Sequence, residues 1–380
     1  MMMEALKNAA LDLLPRSVFL FDRELKILYV NDNFRQMFDC SEDPVSIGQA
    51  MSCPEVRQGR CGQTEACKKC KLCAFFRNAV GTEDGICHSQ IKKKLSLKGK
   101  RVWTNLVLTA RSLREGVFLC MVDDITEVSK KLAEQRRQQK KLIKDLEKAK
   151  DIQSSFLPEK NQVSEFCDFT YYYRQEFKVG GDFFDVYPID DHTFGLYIAD
   201  VSGAGMSGGM LTVFLKDHYD RTLHSPAAAL TKLCDKFNEH KIAEESYITM
   251  FSLVADVSAH KLRYCNAGHN QPMFLKRHHE VIDFFTAGKP VCNWYDAETK
   301  YKDSSVSYEP GDILALFTDG IADMKGKRGQ VYGEDGIRAL LHQSESIQGI
   351  MDKVRKSLNA FKGGEDGEDD LTLLLVELRK

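Results

Sequence analysis

Four short aspartate-bearing stretches lie within about the last 220 residues of the chain: Val179-Gly180-Gly181-Asp182-Phe183-Phe184-Asp185, Asp200-Val201-Ser202-Gly203-Ala204-Gly205, Phe317-Thr318-Asp319-Gly320 and Glu368-Asp369-Asp370-Leu371-Thr372. Each ends or begins an apolar, strand-like run. Carboxylates from distant parts of the chain can therefore converge on one rim of a sheet. Hard oxygen ligands with no His or Cys among them suit Mg²⁺ or Mn²⁺ rather than zinc. The chemistry that needs such a cluster is metal-assisted hydrolysis, most often of a phosphate ester. Crowded carboxylates also raise one another's pKa unless cations neutralise them.

The elements that must position these groups occupy only part of the chain. Its 380 residues suggest two or three domains. A hydrophobic content of 43% and a charged content of 28% are ordinary for a globular protein. The formal net charge of -2 supplies no basic field for nucleic acid. No apolar run approaches the ~20 residues of a membrane helix. The stretch from Met1 to Asp12 lacks the long apolar core of a signal peptide. A cytoplasmic location, with neither membrane nor nucleic acid as partner, is the expectation.

Three segments follow from the patterning. In residues 10–124, Val18–Asp22 and Lys26–Asn31 read as two strands joined by a turn. A polar, Cys-rich stretch with short helical pieces comes next, and Ile86–Leu97, Arg101–Ala110 and Gly116–Val122 read as three further strands. Residues 125–157 read as a helix, free of Gly and Pro before Pro158. Taking Ile125 as position a, the a/d series is Ile125, Val128, Leu132, Gln135, Gln139, Leu142, Leu146, Ala149, Gln153 and Phe156. That is a heptad seam with polar interruptions, long enough for a parallel two-stranded coiled coil. Residues 161–380 alternate strand-like runs, such as Phe194–Asp200, Ile313–Phe317 and Leu371–Leu378, with amphipathic helices, such as Pro226–Ala243 and Ser346–Phe361.

Six motifs occur in order in the third segment: the Gly-Gly-Asp-Phe-Phe-Asp and Asp-Val-Ser-Gly-Ala-Gly stretches, Asn266-Ala267-Gly268-His269-Asn270, Pro310-Gly311-Asp312, Phe-Thr-Asp-Gly-Ile and Asp-Asp-Leu-Thr. Together they resemble the SpoIIE/RsbU-type serine phosphatases of the PP2C (PPM) superfamily. The resemblance implies an αββα sandwich of two antiparallel sheets and a pair of Mn²⁺ or Mg²⁺ ions in a cleft at one end. Carried over residue by residue, Asp200 would bridge the metals, with the Val201 carbonyl as a further ligand. Asp319 and Asp369 would hold one metal and Asp182 the other. Asp185, Asp370 and Asp323 would stand behind them. His269 fits a turn that positions neighbouring loops at least as well as it fits a general acid. The chain departs from the family at Gly288-Lys289-Pro290-Val291-Cys292, where Gly-x-Pro-Leu-Gly is usual.

The first segment, with Tyr29-Val30-Asn31 after its second strand and Asp124-Ile125-Thr126-Glu127 at its exit, resembles a PAS domain. PAS domains are sensory and dimerising modules. A PAS domain, a helix and this phosphatase together are similar to the RsbP-type stress phosphatases. Seven of the twelve cysteines fall in the first 90 residues. Cys53, Cys61, Cys67, Cys70 and Cys73 form a run that resembles part of a ferredoxin motif and a Cys-bearing PAS variant of sensor kinases. An iron–sulfur cluster or zinc is the expected occupant; free, redox-active thiols are the alternative.

The sequence thus reads as an α+β protein with a PAS sensor, a coiled-coil linker and a PP2C-type phosphatase domain. It is expected to be a homodimer through the PAS domain and coil. The resemblance implies as substrate a phosphorylated STAS-domain anti-sigma-factor antagonist. Two rivals are a catalytically silent module that sequesters the antagonist and a protein that is chiefly a redox or metal sensor.

Overall fold

The computed structural model describes residues 9–40, 45–53, 65–82, 85–97, 100–113, 116–159, 163, 165–176, 178–203, 205–294, 301–326, 329–361 and 369–379. The chain divides into two compact units at Lys140/Lys141.

In the first unit, β1 (Ser17–Phe21) and β2 (Ile27–Val30) are followed by the helices α1 (Asp32–Phe38), α2 (Ile47–Ala50), α3 (Glu65–Lys68) and α4 (Lys71–Gly81), then by β3 (Ile86–Leu97), β4 (Lys100–Ser112) and β5 (Phe118–Asp124). The strands form one antiparallel sheet in the order β2-β1-β5-β4-β3. Period-2 alternation turns Phe118, Cys120 and Val122 of β5 inward, onto Phe34 and Phe38 of α1 and Phe75 and Phe76 of α4. Asn31, fully buried, makes the turn from β2 into α1. Its Oδ1 accepts from the backbone N–H of Val18 at 2.9 Å and Phe34 at 3.0 Å, and its Nδ2 donates to the carbonyls of Leu11 and Arg16. Every hydrogen-bonding site of that amide is used, which is what burying it requires.

The helix α5 (Thr126–Ser154) follows directly. Asp124 Oδ1 accepts from the Thr126 N–H at 2.9 Å, so the Asp-Ile-Thr-Glu stretch is the device that ends a strand and starts a helix. Ile125 N–H donates to the Asn105 carbonyl and Asn105 Nδ2 donates to Ser129 Oγ, which ties the first turn to β4. Val128, Leu132 and Leu142 of the seam are exposed. The seam does not extend to its expected end. Gln153 is buried in the second unit and Phe156 packs on that unit's core. Apolar or amide side chains at heptad spacing look alike in sequence whether a second helix or the chain's own next domain covers them.

The second unit contains two five-stranded antiparallel sheets. The first runs β13 (Ser304–Ser307), β10 (Lys261–Ala267), β9 (Ile248–Asp256), β8 (Thr193–Val201), β7 (Asp182–Asp190). The second runs β12 (Glu280–Phe284), β11 (Met273–Arg277), β14 (Ile313–Phe317), β15 (Leu371–Leu378), β6 (Cys167–Arg174). Phe184, Leu196, Ile198, Phe251, Leu314, Leu374 and Val376 fill the space between the sheets. The helices α6 (Met206–His218) and α7 (Pro226–Glu239) cover the outer face of the first sheet through Leu215, Leu230, Leu233 and Phe237. After the short α8 (Asp319–Ala322), α9 (Gly333–Leu341) and α10 (Ile347–Phe361) cover the second sheet through Ile337, Leu341, Ile350 and Val354. The layering is αββα, as the resemblance implied. The unit carries four strands that the sequence reading lacked: β6, β7, β12 and β13. In β7, Pro188 and a register break before Asp190 obscure the pattern; both are tolerated because β7 is an edge strand.

Candidate active site

The four aspartate stretches meet at one end of the sandwich. Asp182 opens β7 and pairs in register with Asp200 near the end of β8. Asp182 shares strand parity with Phe184, and Asp200 with Ile198, so both carboxylates face the space between the sheets. Asp319 begins α8 immediately after β14, and Asp369 and Asp370 precede β15. Antiparallel pairing of β14 with β15 sets Phe317 beside Leu373, which brings the Thr318–Asp319 and Asp369–Asp370 ends together.

Asp182 is only 2% exposed. Its Oδ2 accepts from Thr318 Oγ1 at 2.7 Å and from Thr372 Oγ1 at 2.5 Å. Both threonines lie in the expected motifs, one before Asp319 and one after Asp370, but sequence reading gave them no role. Thr318 N–H also donates to the Thr372 carbonyl at 3.0 Å, and Thr372 N–H donates to Thr318 Oγ1 at 3.2 Å. One hydroxyl pair thus fastens the first sheet's Asp182 to the second sheet's site loops. Asp370 has a different task. Its Oδ2 accepts from Gly181 N–H at 2.6 Å and Asp182 N–H at 3.2 Å, and its Oδ1 accepts from Glu176 N–H at 2.8 Å. Both oxygens hold the loop that carries Asp182.

Gly181 backs this loop onto the end of β8. A Cβ there would stand 2.8 Å from the Val201 carbonyl oxygen, so glycine alone fits, and Val201 N–H returns a hydrogen bond to the Gly181 carbonyl. The Val201 carbonyl lies beside Asp200 Oδ1 at this point of closest approach. A cleft of about 100 Å³ opens next to it, lined by Asp200, Asp319, Tyr247, Thr249 and the His269-Asn270-Gln271 turn.

The electrostatics mark a site short of positive charge. Burial, and then Asp200, hold the Asp182 carboxyl well above the usual range. Asp200 is pushed up to about 7 by burial, then by Asp319, Asp369 and Asp370. Burial followed by Asp323 raises Asp319. Burial raises Asp369, with Asp319, Asp370 and Asp323 adding to it. Among the described residues no three His, Cys, Asp or Glu groups stand close enough to share one ion. The carboxylates lie within electrostatic reach of one another, each raising the pKa of others. An all-oxygen donor set whose ionised form is this disfavoured fits hard divalent cations.

Asp185 is not part of this constellation. Three residues from Asp182 on a strand, it faces the opposite side of the sheet. There it pairs with Lys216 Nζ at 2.7 Å and Arg221 at 3.5 Å under α6. It is a buried ion pair of the helix layer, and its proposed place behind the metal ligands is corrected accordingly. Asp323 caps α8, donating its N–H to the Asp319 carbonyl at 2.6 Å.

His269 is a positioning residue. The Asn266 side chain closes the turn on both sides, accepting from His269 N–H at 2.7 Å and donating to the His269 carbonyl at 2.8 Å. Gly268 has φ +78°, and a Cβ there would meet Pro290 N at 2.8 Å, so the unusual Gly288–Cys292 stretch packs directly on this turn. His269 Nε2 lies 3.0 Å from the Phe317 carbonyl, at the base of the Thr318–Asp319 loop. Burial lowers its pKa to about 4, so the ring is neutral and donates at Nε2 near neutral pH. A neutral ring with its proton engaged is not a general acid. An unfolded imidazole takes up a proton near 6.5. The His269 contribution to stability is therefore intact above about 6.5 and lost as pH falls through about 4. Urea midpoints at pH 7 and pH 5 should fall more for wild type than for His269→Gln; equal slopes would refute this account of the ring.

Sequence reading placed Gln153 in the coil seam, and the structure puts it at the site instead. Its Nε2 donates to the Gly180 carbonyl at 2.9 Å and to Thr212 Oγ1 at 2.8 Å, while its Oε1 accepts from Gly180 N–H at 3.2 Å and Gln175 Nε2 at 2.6 Å. The last turn of α5 thus grips the Gly180–Gly181 loop from behind. The sequence signal was available: an uncharged amide just before Ser154-Ser155-Phe156-Leu157-Pro158 ends the helix. Gln153→Leu should lower turnover about tenfold or more through misplacement of Asp182, with KM changed far less. Unchanged kcat in a folded variant would contradict that role.

Residues 190–379 match the family model described as Stage II sporulation protein E (SpoIIE). The chain is 26% identical over 243 residues to the phosphoserine phosphatase RsbP of Bacillus subtilis, covering 62% of this chain and 58% of RsbP. It is 24% identical to the phosphoserine phosphatase RsbU of the same organism, covering 63% of this chain and 71% of RsbU. The match to RsbP therefore spans less than two thirds of that relative. The SiaA-PP2C domain of Pseudomonas aeruginosa superposes with a TM-score of 0.57 at 20% identity, over 63% of this chain and 98% of that domain, and shows the same fold.

Proposed function

Because the chain belongs to the SpoIIE family, we propose that it is a metal-dependent protein serine/threonine phosphatase. The observation that carries this reading is the meeting of Asp182, Asp200, Asp319 and Asp369 at one end of the sandwich, with pKa values raised by burial and, between them, by mutual repulsion. Bound there, a pair of Mn²⁺ or Mg²⁺ ions would supply Lewis-acid charge and a water acidic enough to act as nucleophile near neutral pH. Asp182, Asp200, Asp319, Asp369 and the Val201 carbonyl would hold the ions. Thr318 and Thr372 orient Asp182, Asp370 fixes the loop that carries it, and the His269 turn fixes the base of the Asp319 loop. No cysteine or serine of the chain has to become phosphorylated. An intact carboxylate set supports catalysis over a silent binding module.

The N-terminal unit we read as a PAS sensor. Its strand order and the helices between its second and third strands support that reading. The proposed substrate is a phosphorylated STAS-domain anti-sigma-factor antagonist, by kinship with RsbP and RsbU. The test is to incubate the full chain and Mn²⁺ with such a phosphoserine protein and, separately, with a phosphotyrosine peptide. Release from the first alone supports the proposal; release from neither opposes it. Among the described residues no helix is long and apolar enough to cross a membrane. The described cysteines are all unbridged, which supports a cytoplasmic setting.

The proposed homodimer would form through the first unit and α5, whose exposed Val128, Leu132 and Leu142 offer an apolar seam. Leu132→Asp combined with Leu146→Asp should shift the sedimentation coefficient from dimer to monomer at micromolar concentration. A monomeric wild type would refute dimerisation.

The iron–sulfur or zinc occupant expected for the cysteine run is left without support: among the described residues, which exclude Cys61, no group of three His, Cys, Asp or Glu is placed to hold an ion. Cys70 Sγ accepts instead from the Lys93 ammonium at 2.9 Å. Cys53 packs on the apolar core of the first unit.

A further inference from the structure

We propose that Cys70 and Cys73 form a redox-active dithiol, oxidised by a small anionic disulfide that enters the basic cleft beside Cys70. The inference is independent of the phosphatase reading. The pair is a Cys-Lys-Leu-Cys turn at the start of a helix: Cys70 is the N-cap residue of α4 and Cys73 lies in its first turn. The two thiols lie within interaction range of each other, and Lys93 from β3 donates to Cys70 Sγ at 2.9 Å. Helix N-terminus, neighbouring thiol and ammonium all favour negative charge on one sulfur.

The two sulfurs are differentiated. Hydrogen bonding from Cys73, with help from Lys93, holds the Cys70 thiol well below the usual range, while the bond to Cys70 and burial push Cys73 the other way. Cys70, which receives the Lys93 ammonium and lines the cleft where Cys73 does not, is the nucleophile, and Cys73 is the resolving thiol. Cys67 of α3 acts on Cys73, and Cys53 acts on Lys93.

Access and selectivity come from the cleft. It has a volume of about 500 Å³ and is lined by Cys70, Trp103 and six cations, among them Lys69, Lys71, Lys93 and Arg101; no acidic side chain lines it. Cys73 is not among the lining residues. A disulfide carrying carboxylates would be drawn to Cys70, and a cationic one repelled.

The chemistry balances. The Cys70 thiolate attacks one sulfur of RS–SR, forming a Cys70–S–R bond as the external S–S bond breaks and RS⁻ leaves with its electron pair. Cys73 then loses its proton and attacks Cys70 Sγ, forming the Cys70–Cys73 bond and expelling the second RS⁻, which takes up that proton. Two protein thiols are oxidised and one external disulfide is reduced to two thiols.

The test uses the reduced full chain, with oxidised glutathione as the anionic probe and cystamine as the cationic one. At low ionic strength the glutathione disulfide should react at least about tenfold faster than cystamine, and the advantage should collapse in 1 M salt. Peptide mapping should find a Cys70–Cys73 disulfide in wild type and a glutathionyl group on Cys70 in Cys73→Ser. Iodoacetamide labelling of Cys70 in wild type should change less than about threefold between pH 5.5 and 7.5, where an ordinary thiol changes roughly 100-fold. Equal rates for the two probes, a mixed disulfide on another cysteine, or an ordinary pH profile for Cys70 would each overturn the proposal.

Discussion

Asp200→Asn should lower phosphatase turnover at least about 1000-fold, a loss of roughly 4 kcal/mol of transition-state stabilisation, while leaving the fold intact. Asp200 stands at the junction of both sheets' contributions: in register with Asp182, beside the Val201 carbonyl, and under the field of Asp319, Asp369 and Asp370. Neutralising it removes the carboxylate on which Asp319, Asp369 and Asp370 act. The same substitution should raise the stability of the metal-free protein at alkaline pH. The folded carboxyl titrates near 7, above its unfolded value. Its favourable contribution is thus complete below the unfolded pKa and lost as pH rises through about 7. Thermal midpoints in chelator should therefore fall from pH 5 to pH 8 more steeply for wild type than for Asp200→Asn. A folded variant with wild-type turnover in Mn²⁺ would remove Asp200 from the chemistry.

Asp370→Ala should be the most destabilising single change at the site. Asp370 is buried, and its carboxylate receives three backbone N–H groups, from Glu176, Gly181 and Asp182. Charge-assisted bonds of this kind contribute about 1.5–3 kcal/mol each, and removing the acceptor strands the donors. Allowing for non-additivity, a loss of about 3–5 kcal/mol is expected, with a drop of roughly 10 °C in the melting midpoint. Asp370→Asn, which keeps one acceptor oxygen, should fall between Ala and wild type. A loss under about 1 kcal/mol for Ala would mean that the loop's other ties, from Gln153, Val201, Thr318 and Thr372, hold it without Asp370.

Much of this was legible in the chain, for identifiable reasons. Asp200, Asp319 and Asp369 flank apolar runs whose strand character is plain, so their meeting at a sheet rim followed from period and punctuation. β7 was hidden because an edge strand tolerates Pro188 and polar residues that a central strand excludes. The misplacement of Asp185 came from reading a motif as a unit: Gly-Gly-Asp-Phe-Phe-Asp looks like two site carboxylates, but an odd spacing on a strand sends them to opposite faces. Gln153, Thr318 and Thr372 were missed as functional groups because their partners are backbone and side chains up to 190 positions away. Spacing in sequence carries no trace of such contacts. Neither the spacing of the thiol run nor its resemblance to ferredoxin and PAS motifs points to the lysine that partners Cys70, which comes from β3, 23 positions on.

The most direct test of the central claim is phosphate release from a phosphoserine protein by the purified full chain as Mn²⁺ is titrated into chelator-treated enzyme. The account predicts no release without metal, saturable release with Mn²⁺ or Mg²⁺, and loss of that response in Asp182→Asn, Asp200→Asn and Asp319→Asn alike. Release that persists in excess chelator, or that survives all three substitutions in folded protein, would contradict it.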